Sequence, residues 1–292
     1  MNFETNRRDF LKLAGLGGVV LASSLGPWGR ALAAAGQDFF FVQMTDPHWG
    51  FEGPPNPEAK NTLKRAVTEA NALPVQPDFI MFTGDLTHAA EDDKERQRRM
   101  TEFKSIVAGL KVKDVRFIPG ENDAGLDAGA MYRSMFGAGN YSFEHKGLHF
   151  VALDNVSDPN GLIGDNQLQW LRADLAKLDK SQPIVVFAHR PLFDLYSQWD
   201  WATKDGAKAI EILTPYQNVT VFYGHIHQEH HAMTGKIAHH AAESLIFPFP
   251  AAGSQPKRIP VAWDAAHPFR GLSFRSVQSE GSEFKLANNP IT

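Results

Sequence analysis

From residue 38 onward, short apolar runs alternate with amphipathic segments. The runs at 39–42 and 79–82 are apolar throughout, which is typical of strands buried on both faces, and only Arg116 interrupts the apolar run at 115–118. Residues 58–73 instead repeat apolar side chains at helical spacing, and so does a charged segment that begins near Glu91. The alternation of these two patterns predicts an α/β fold whose sheets are covered by helices.

The same pattern continues through the second half of the chain. Further apolar runs lie at 148–153, 183–187 and 219–223. Beyond residue 229 the strand signals become short, and proline interrupts them. Since no repeat or low-complexity linker divides the chain, we expect residues 36–292 to form one domain. Within it, residues 228–292 are predicted to supply C-terminal strands and an irregular tail.

The first residues have the order of a bacterial export signal. Arg7 and Arg8 precede a short apolar stretch at 13–25, and small residues follow at 31–35. The paired arginine favours the twin-arginine (Tat) route, with the Tat translocase as a transient partner. We expect residues 1–35 to be a signal peptide, cleaved after Ala33 or Ala35, and the mature protein to reach the periplasm. The apolar stretch is shorter than the roughly 18 residues that span a bilayer, so no permanent membrane anchor is expected.

The composition limits the kinds of catalytic and binding site that the chain can form. The chain has no cysteine, which excludes disulfides, thiolate nucleophiles and cysteine-ligated metals. Its formal net charge is -4 and it has no long basic run, so no nucleic-acid-binding surface is evident. Any metal must therefore be bound by histidine, carboxylate, amide or backbone oxygen.

Polar side chains gather where the predicted strands end. In open α/β sheets, ligands bind in the crevice beyond the carboxyl ends of the strands. Mixed carboxylate and imidazole ligands suit zinc, manganese or iron. Five strand ends carry such residues: Asp46-Pro47-His48, Gly84-Asp85, Gly120-Glu121-Asn122-Asp123, His189 and Gly224-His225-Ile226-His227.

In their order, these fragments resemble the signature of the calcineurin-like metallophosphoesterase family: D-x-H, G-D, G-N-H-D/E, an isolated His and G-H-x-H. The resemblance covers residues 38–228 and implies a four-layer α/β/β/α double β-sandwich. It also implies two transition-metal ions (manganese, iron or zinc) as cofactors, with a bridging hydroxide that attacks phosphorus in line. By the same resemblance, Asp46, His48 and His227 would bind the first metal, His189, His225 and a residue of the third motif the second, and Asp85 both.

The third motif departs from the family pattern. Without a gap, Glu121 takes the position of the ligand asparagine and Asn122 that of the catalytic histidine. The alternative alignment keeps Asn122 as the ligand and shifts the loop by one residue. In either case the family's usual general acid is missing, which leaves the mechanism and substrate open.

Other histidines are harder to assign. His88 lies three residues after Asp85, where it could approach the first metal or a substrate oxygen, or be an ordinary loop residue. We therefore include it with Asp85 and Asn122 as a candidate catalytic residue. The late histidines are expected to be solvated residues on late strands rather than ligands: His230, His231, His239 and His240.

Two functions follow as hypotheses. The first is an exported metal-dependent phosphoesterase that hydrolyses a small phosphate mono- or diester. The alternative is a catalytically degenerate metal-binding protein that acts as a periplasmic binding or assembly factor, and the altered third motif is its support.

Overall fold

The computed structural model describes residues 20–23, 39–280 and 283–292. Its strands are β1 (Val20–Ser23), β2 (Phe40–Met44), β3 (Phe79–Thr83), β4 (Val115–Ile118), β5 (Tyr141–His145), β6 (Leu148–Ala152), β7 (Ile184–Phe187), β8 (Val219–Tyr223), β9 (His230–Thr234), β10 (Ile237–Ala241), β11 (Ser273–Glu280) and β12 (Glu283–Pro290). Its helices are α1 (Ala59–Ala72), α2 (Asp93–Val107), α3 (Glu121–Ala124), α4 (Ala130–Phe136), α5 (Asp165–Leu175) and α6 (Gly206–Leu213), with a short 3₁₀ turn at Ser197–Trp199.

The strands form two six-stranded mixed sheets. The first has the order β1–β12–β11–β2–β3–β4, and the second β5–β6–β7–β8–β10–β9. In the first, β2, β3 and β4 are parallel. In the second, β6, β7, β8 and β10 are parallel. The strands at 40–44, 79–83 and 219–223 are buried at every position, as their continuous apolar patterns predict.

Three hydrophobic clusters divide the molecule into four layers. The cluster between the two sheets is rich in phenylalanine: Phe41 stacks on Phe79 at 5.0 Å and meets Phe187 edge-on at 5.6 Å. A second cluster packs α1 and α2 on the first sheet. A third packs α5 and α6 on the second sheet. This arrangement is the predicted α/β/β/α double β-sandwich.

The sheets are also joined by polar contacts near the carboxyl ends of their parallel strands. Gln43, near the end of β2, donates its side-chain Nε2–H to the carbonyl oxygen of Tyr223 at 3.0 Å and to Thr83 Oγ1 at 3.1 Å. These contacts hold the ends of β2, β3 and β8 together. The loops that leave those strands therefore share one crevice.

The N-terminal prediction falls mostly outside the described residues. Arg7, Arg8 and both candidate cleavage positions are not described by the structure. Part of the apolar stretch is described: Val20–Ser23 forms β1 and pairs antiparallel with β12, Val20 opposite Ala287. Within the described ranges, every helix is too short or too polar to cross a membrane.

The expectation of solvated late histidines is wrong for two of the four. His239 and His240 are 0% and 3% exposed, because β10 is an inner strand of the second sheet and β9 covers its edge. His240 packs on Phe222, and His239 on Phe193. On the edge strand β9, His230 is half-buried and His231 is exposed.

Candidate metal centre

The backbone at the strand ends adopts an uncommon conformation. Asp46, His48, Asp85, His225 and His227 all have positive φ, between 42° and 67°. Side chains rarely tolerate this left-handed region, which costs of order 1–3 kcal/mol per residue and occurs preferentially at functional sites. It turns each side chain out of its strand direction and into the crevice.

Two glycines allow the strand ends to approach one another. A Cβ on Gly120 would lie 2.1 Å from both the backbone nitrogen and Oδ1 of Asp85. A Cβ on Gly224 would lie 2.0 Å from Thr45 Oγ1 and 2.7 Å from Asp46 Oδ2. Any larger residue at these positions would force the candidate ligands apart.

The first cluster consists of Asp46, His48 and His227. His227 Nε2 lies 3.2 Å from Asp46 Oδ1 and 3.3 Å from His48 Nε2. All three residues are buried. The other carboxylate oxygen of Asp46, Oδ2, accepts hydrogen bonds from Thr45 Oγ1 at 2.6 Å and the backbone N–H of His225 at 3.0 Å. Asp46 is thereby oriented so that only Oδ1 faces the cluster.

The second cluster consists of Glu121, His189 and His225. Glu121 Oε2 lies 2.9 Å from His189 Nε2, and Glu121 Oε1 lies 2.9 Å from His225 Nδ1. The two histidines are buried, and the Glu121 side chain is half-buried at the mouth of the crevice. Helix α3 begins at Glu121, directly after Gly120, and this start directs the carboxylate toward the histidines.

Asp85 lies between the two clusters. Its Oδ2 is 3.3 Å from His48 Nε2 and 3.6 Å from His189 Nε2. Asn122 orients this carboxylate with two hydrogen bonds, from its backbone N–H to Oδ1 at 2.8 Å and from its side-chain Nδ2–H to Oδ2 at 2.7 Å. Asp85 is thus positioned to contact groups in both clusters.

Backbone carbonyls fix the tautomers of three histidines. His189 Nδ1 donates to the carbonyl of Thr83 at 2.7 Å, His227 Nδ1 to that of Phe247 at 2.8 Å and His225 Nε2 to that of Asp200 at 3.0 Å. A carbonyl oxygen can only accept, so the outer nitrogen carries a proton, and the inner nitrogen faces the centre, where its lone pair is available to a metal once that nitrogen is deprotonated. Metal-binding histidines typically have such outer partners.

The buried atoms at the centre fit a cation. Asp46 Oδ1, Glu121 Oε2 and His189 Nε2 have no hydrogen-bond partner of acceptable geometry among the described residues, although all are buried. Such atoms cost free energy unless something else satisfies them. Three sets of converging atoms could each hold a metal ion: Asp46 with His48 and His227, Glu121 with His189 and His225, and Asp46 with Asp85 and His189.

The carboxylates and imidazoles at the centre shift one another's pKa. Burial raises the pKa of Asp46 and of Glu121, but the neighbouring imidazoles outweigh it and hold both below their usual range. Burial lowers the pKa of His48 to about 4. For His189, burial lowers the pKa, yet the carboxylates of Asp85, Glu121 and Asp46 together raise it well above the ordinary value. Asp46 and Glu121 are therefore ionised and favour positive charge in the crevice.

In the third motif, Glu121 and not Asn122 lies among the histidines. The Asn122 amide is used by Asp85, and its Oδ1 accepts a hydrogen bond from the backbone N–H of Ala89 at 3.2 Å. Asp123 is fully buried and accepts from the backbone N–H groups of Gly120, Leu86 and Thr87. This geometry favours the ungapped alignment.

His88 lies behind the first cluster. Its Nδ1 is 3.3 Å from His48 Nδ1, the outer nitrogen of that ring, and Phe51 packs edge-on against it at 5.1 Å. Burial lowers the pKa of His88, so the neutral form is favoured. The contact makes His88 a partner of His48.

Two arginines beside the second cluster were not singled out from the sequence. Arg190 directly follows His189, and its Nε lies 3.6 Å from Glu121 Oε2. Arg258, from the loop between β10 and β11, has Nη1 at 3.4 Å from His225 Nε2. The position of Arg190 next to a motif histidine was a usable signal. Arg258 had none, because it lies in an aperiodic proline-containing segment.

Comparisons with known proteins agree with this geometry. The model of the calcineurin-like phosphoesterase family matches residues 41–229. Purple acid phosphatase 22 of Arabidopsis thaliana is 37% identical over 90 residues, which are 30% of this chain and 20% of that protein. A probable cyclic nucleotide phosphodiesterase of Rhodococcus erythropolis is 26% identical over 205 residues, 64% of each chain. The chain thus spans less than two thirds of either relative.

Among solved structures, a dimetal phosphatase from Danio rerio superposes with a TM-score of 0.55 at 15% identity, covering 87% of this chain and 98% of that one. This likeness shows the shared fold. The two curated relatives are named as a phosphatase and a probable phosphodiesterase, and this chain has clusters able to hold metal. On the match of residues 41–229, the chain belongs to the calcineurin-like phosphoesterase family.

Proposed function

We propose that this protein is an exported phosphoesterase that uses two transition-metal ions to hydrolyse a small phosphate mono- or diester. The observation that carries the proposal is the pair of clusters around Asp85, each with one carboxylate and two imidazole nitrogens. Metal ions bound there would act as Lewis acids on the phosphoryl group and make water a better nucleophile.

Each residue then has a distinct role. The first cluster would hold one ion and the second cluster the other, with Asp85 shared between them. Asn122 keeps the Asp85 carboxylate in place. The carbonyls of Thr83, Phe247 and Asp200 keep the inner imidazole nitrogens facing the centre.

Asn122, which takes the position of the family's histidine, cannot itself donate a proton to the leaving group. The Asn122 amide is not acidic in the useful range, and its N–H is already donated to Asp85. Esters with good leaving groups, or anhydrides, depart without a proton. We therefore expect them to be better substrates than simple alkyl phosphates.

The test combines metal analysis with a substrate panel. Purified protein is reconstituted with manganese, zinc or iron, the bound metal is quantified, and nitrophenyl mono- and diesters are assayed alongside alkyl phosphates. We expect close to two metal ions per chain and hydrolysis that chelation abolishes. Reconstituted protein that retains no transition metal contradicts the proposal.

The second candidate is a binding or assembly factor that holds metal without turnover. The hydrogen bond from Asn122 to Asp85 favours it, since a residue devoted to positioning has replaced an acid. Two bound metals with no hydrolysis of any ester or anhydride in the panel would support this candidate.

Export by the Tat route is part of the proposal, and Arg7-Arg8 before a short apolar stretch supports it. A reporter fused after Ala35 should lose export when Arg7 and Arg8 are both changed to Lys. Continued export of that variant would point to the general secretory route. Folded export would allow the metals to be loaded before the protein reaches the periplasm.

A further inference from the structure

Arg258 places a positive charge beside the second cluster. The residue is half-buried, its guanidinium carbon lies 5.2 Å from the centroid of the Phe249 ring, and its Nη1 lies 3.4 Å from His225 Nε2. No carboxylate among the described residues forms an ion pair with it. Phe249 in turn packs on His227 at 4.6 Å, so the Arg258 side chain lies on the wall of the metal centre.

The contact with His225 does not satisfy the guanidinium. His225 Nε2 already donates its proton to the carbonyl of Asp200, and a guanidinium nitrogen is also only a donor. Two donors cannot form a hydrogen bond with each other. Apart from this edge contact and the Phe249 ring, no partner for Arg258 is found in the described part of the chain.

Arg190, on the same side of the centre, shows the contrast. Its Nη2 pairs with Asp200 Oδ2 at 2.8 Å, and its Nε approaches Glu121. Its charge is therefore compensated within the protein. A half-buried arginine without a carboxylate gives up part of its hydration and gains only a ring contact, and an anionic ligand would supply the missing partner.

We propose that Arg258 is a specificity-determining residue that recognises the additional negative charge of a phosphate monoester. This inference rests on the proposed phosphoesterase function. A monoester carries a charge of about −1.5 to −2 at neutral pH, whereas a diester carries only one. Guanidinium groups bind phosphate oxygens through two parallel hydrogen bonds, which suits a terminal phosphoryl group with several free oxygens. Arg258 therefore favours monoesters over diesters.

The experiment compares p-nitrophenyl phosphate with bis(p-nitrophenyl) phosphate, which share a leaving group. Arg258→Met removes the charge and keeps much of the side-chain length, and Arg258→Lys keeps the charge without the planar fork. Lys257→Met is the matched control, because it removes one charge from the adjacent, exposed position. All variants are checked for metal content and folding.

We expect Arg258→Met to lower kcat/KM for the monoester by roughly 10–100-fold, the size of a charged hydrogen bond, and for the diester by less than about threefold. The kcat/KM of Arg258→Lys for the monoester should lie between those of the wild type and Arg258→Met. Lys257→Met should match the wild type on both esters. Calorimetric titration of inorganic phosphate into the metal-loaded protein should show a weaker Kd for Arg258→Met by a comparable factor.

Equal losses on both esters would overturn the inference, as would a phosphate Kd that does not change in Arg258→Met. Failure of the underlying function looks different: metal-loaded wild type would then hydrolyse neither ester. In that event the phosphate titration alone decides whether Arg258 recognises the anion. If Arg258→Met does not fold, Arg258→Lys with the Lys257→Met control gives the same comparison at smaller amplitude.

Discussion

The two clusters of the metal centre have matching ligand types and different surroundings. Each combines one carboxylate with two imidazoles. Around the first cluster the protein places aromatic rings, with Phe247 6.1 Å from His48 and 5.0 Å from His227. Around the second it places the guanidinium groups of Arg190 and Arg258.

This difference assigns different tasks to the two sides. Aromatic walls exclude water and strengthen electrostatic interactions at the first cluster. Arginines at the second cluster attract anions, and the half-buried Glu121 is the ligand candidate nearest to solvent. An anionic substrate is therefore expected to enter from the second-cluster side.

The largest expected effect comes from Asp85, because both clusters share its carboxylate. Asp85→Asn should weaken metal binding at both positions and reduce activity by more than the roughly 10–100-fold typical of an outer partner. Metal content and kcat/KM measure this. The control is Asp154→Asn, another aspartate just beyond a strand end, which instead caps its own loop through Ser157 N at 2.9 Å. Loss of only one metal would show that Asp85 belongs to a single cluster.

Glu121→Gln should affect the second cluster alone. It removes the charge that faces His189 and His225 while preserving shape, so one of two metals should be lost and activity should fall by about 100-fold. Metal titration followed by calorimetry should then show a single remaining site. If both sites weaken equally, the two clusters are not separate units.

His88→Ala tests the first cluster through its outer partner. His48 is the only one of the four candidate histidine ligands whose described outer contact is a side chain rather than a carbonyl. Loss of the His88 side chain should weaken metal affinity at the first cluster by about tenfold, the lower end of the roughly 10–100-fold range for outer partners of metal ligands. His88→Asn offers a neutral polar replacement and should restore part of the affinity. An unchanged affinity in His88→Ala would make His88 an ordinary loop residue.

The smallest expected effect is a change in substrate ratio. Asn122→His restores the family's residue and should raise the rate on alkyl esters relative to nitrophenyl esters by about tenfold, part of the 10²–10⁴ that a positioned acid contributes. The Asp85 contact from the backbone N–H is retained. Equal effects on both leaving groups would refute the missing-acid explanation. His88→Ala and His230→Ala, assayed with the same esters, test whether another histidine donates the proton.

The positions of the inner strands and the candidate ligands could be predicted from local patterns, whereas the grouping of the ligands into two clusters came from the family resemblance. Continuous apolar runs marked β2, β3 and β8, and ligand-type residues followed directly where they end. The role of Asn122 was not predictable, since one turn of helix decides whether its amide meets a metal or Asp85. Arg258 was missed because it reaches the centre through a long aperiodic loop. The burial of His239 and His240 depended on β9 covering β10.

The left-handed backbone of Asp46, His48, Asp85, His225 and His227 implies how this protein would respond to selection for heat resistance alone. Glycine or asparagine would be more relaxed than the native residue at several of these positions. Variants selected only for melting temperature should therefore lose these candidate metal ligands early, while the phenylalanine layer stays unchanged. The replacements that accumulate first in such a screen would map the active site without any substrate being known.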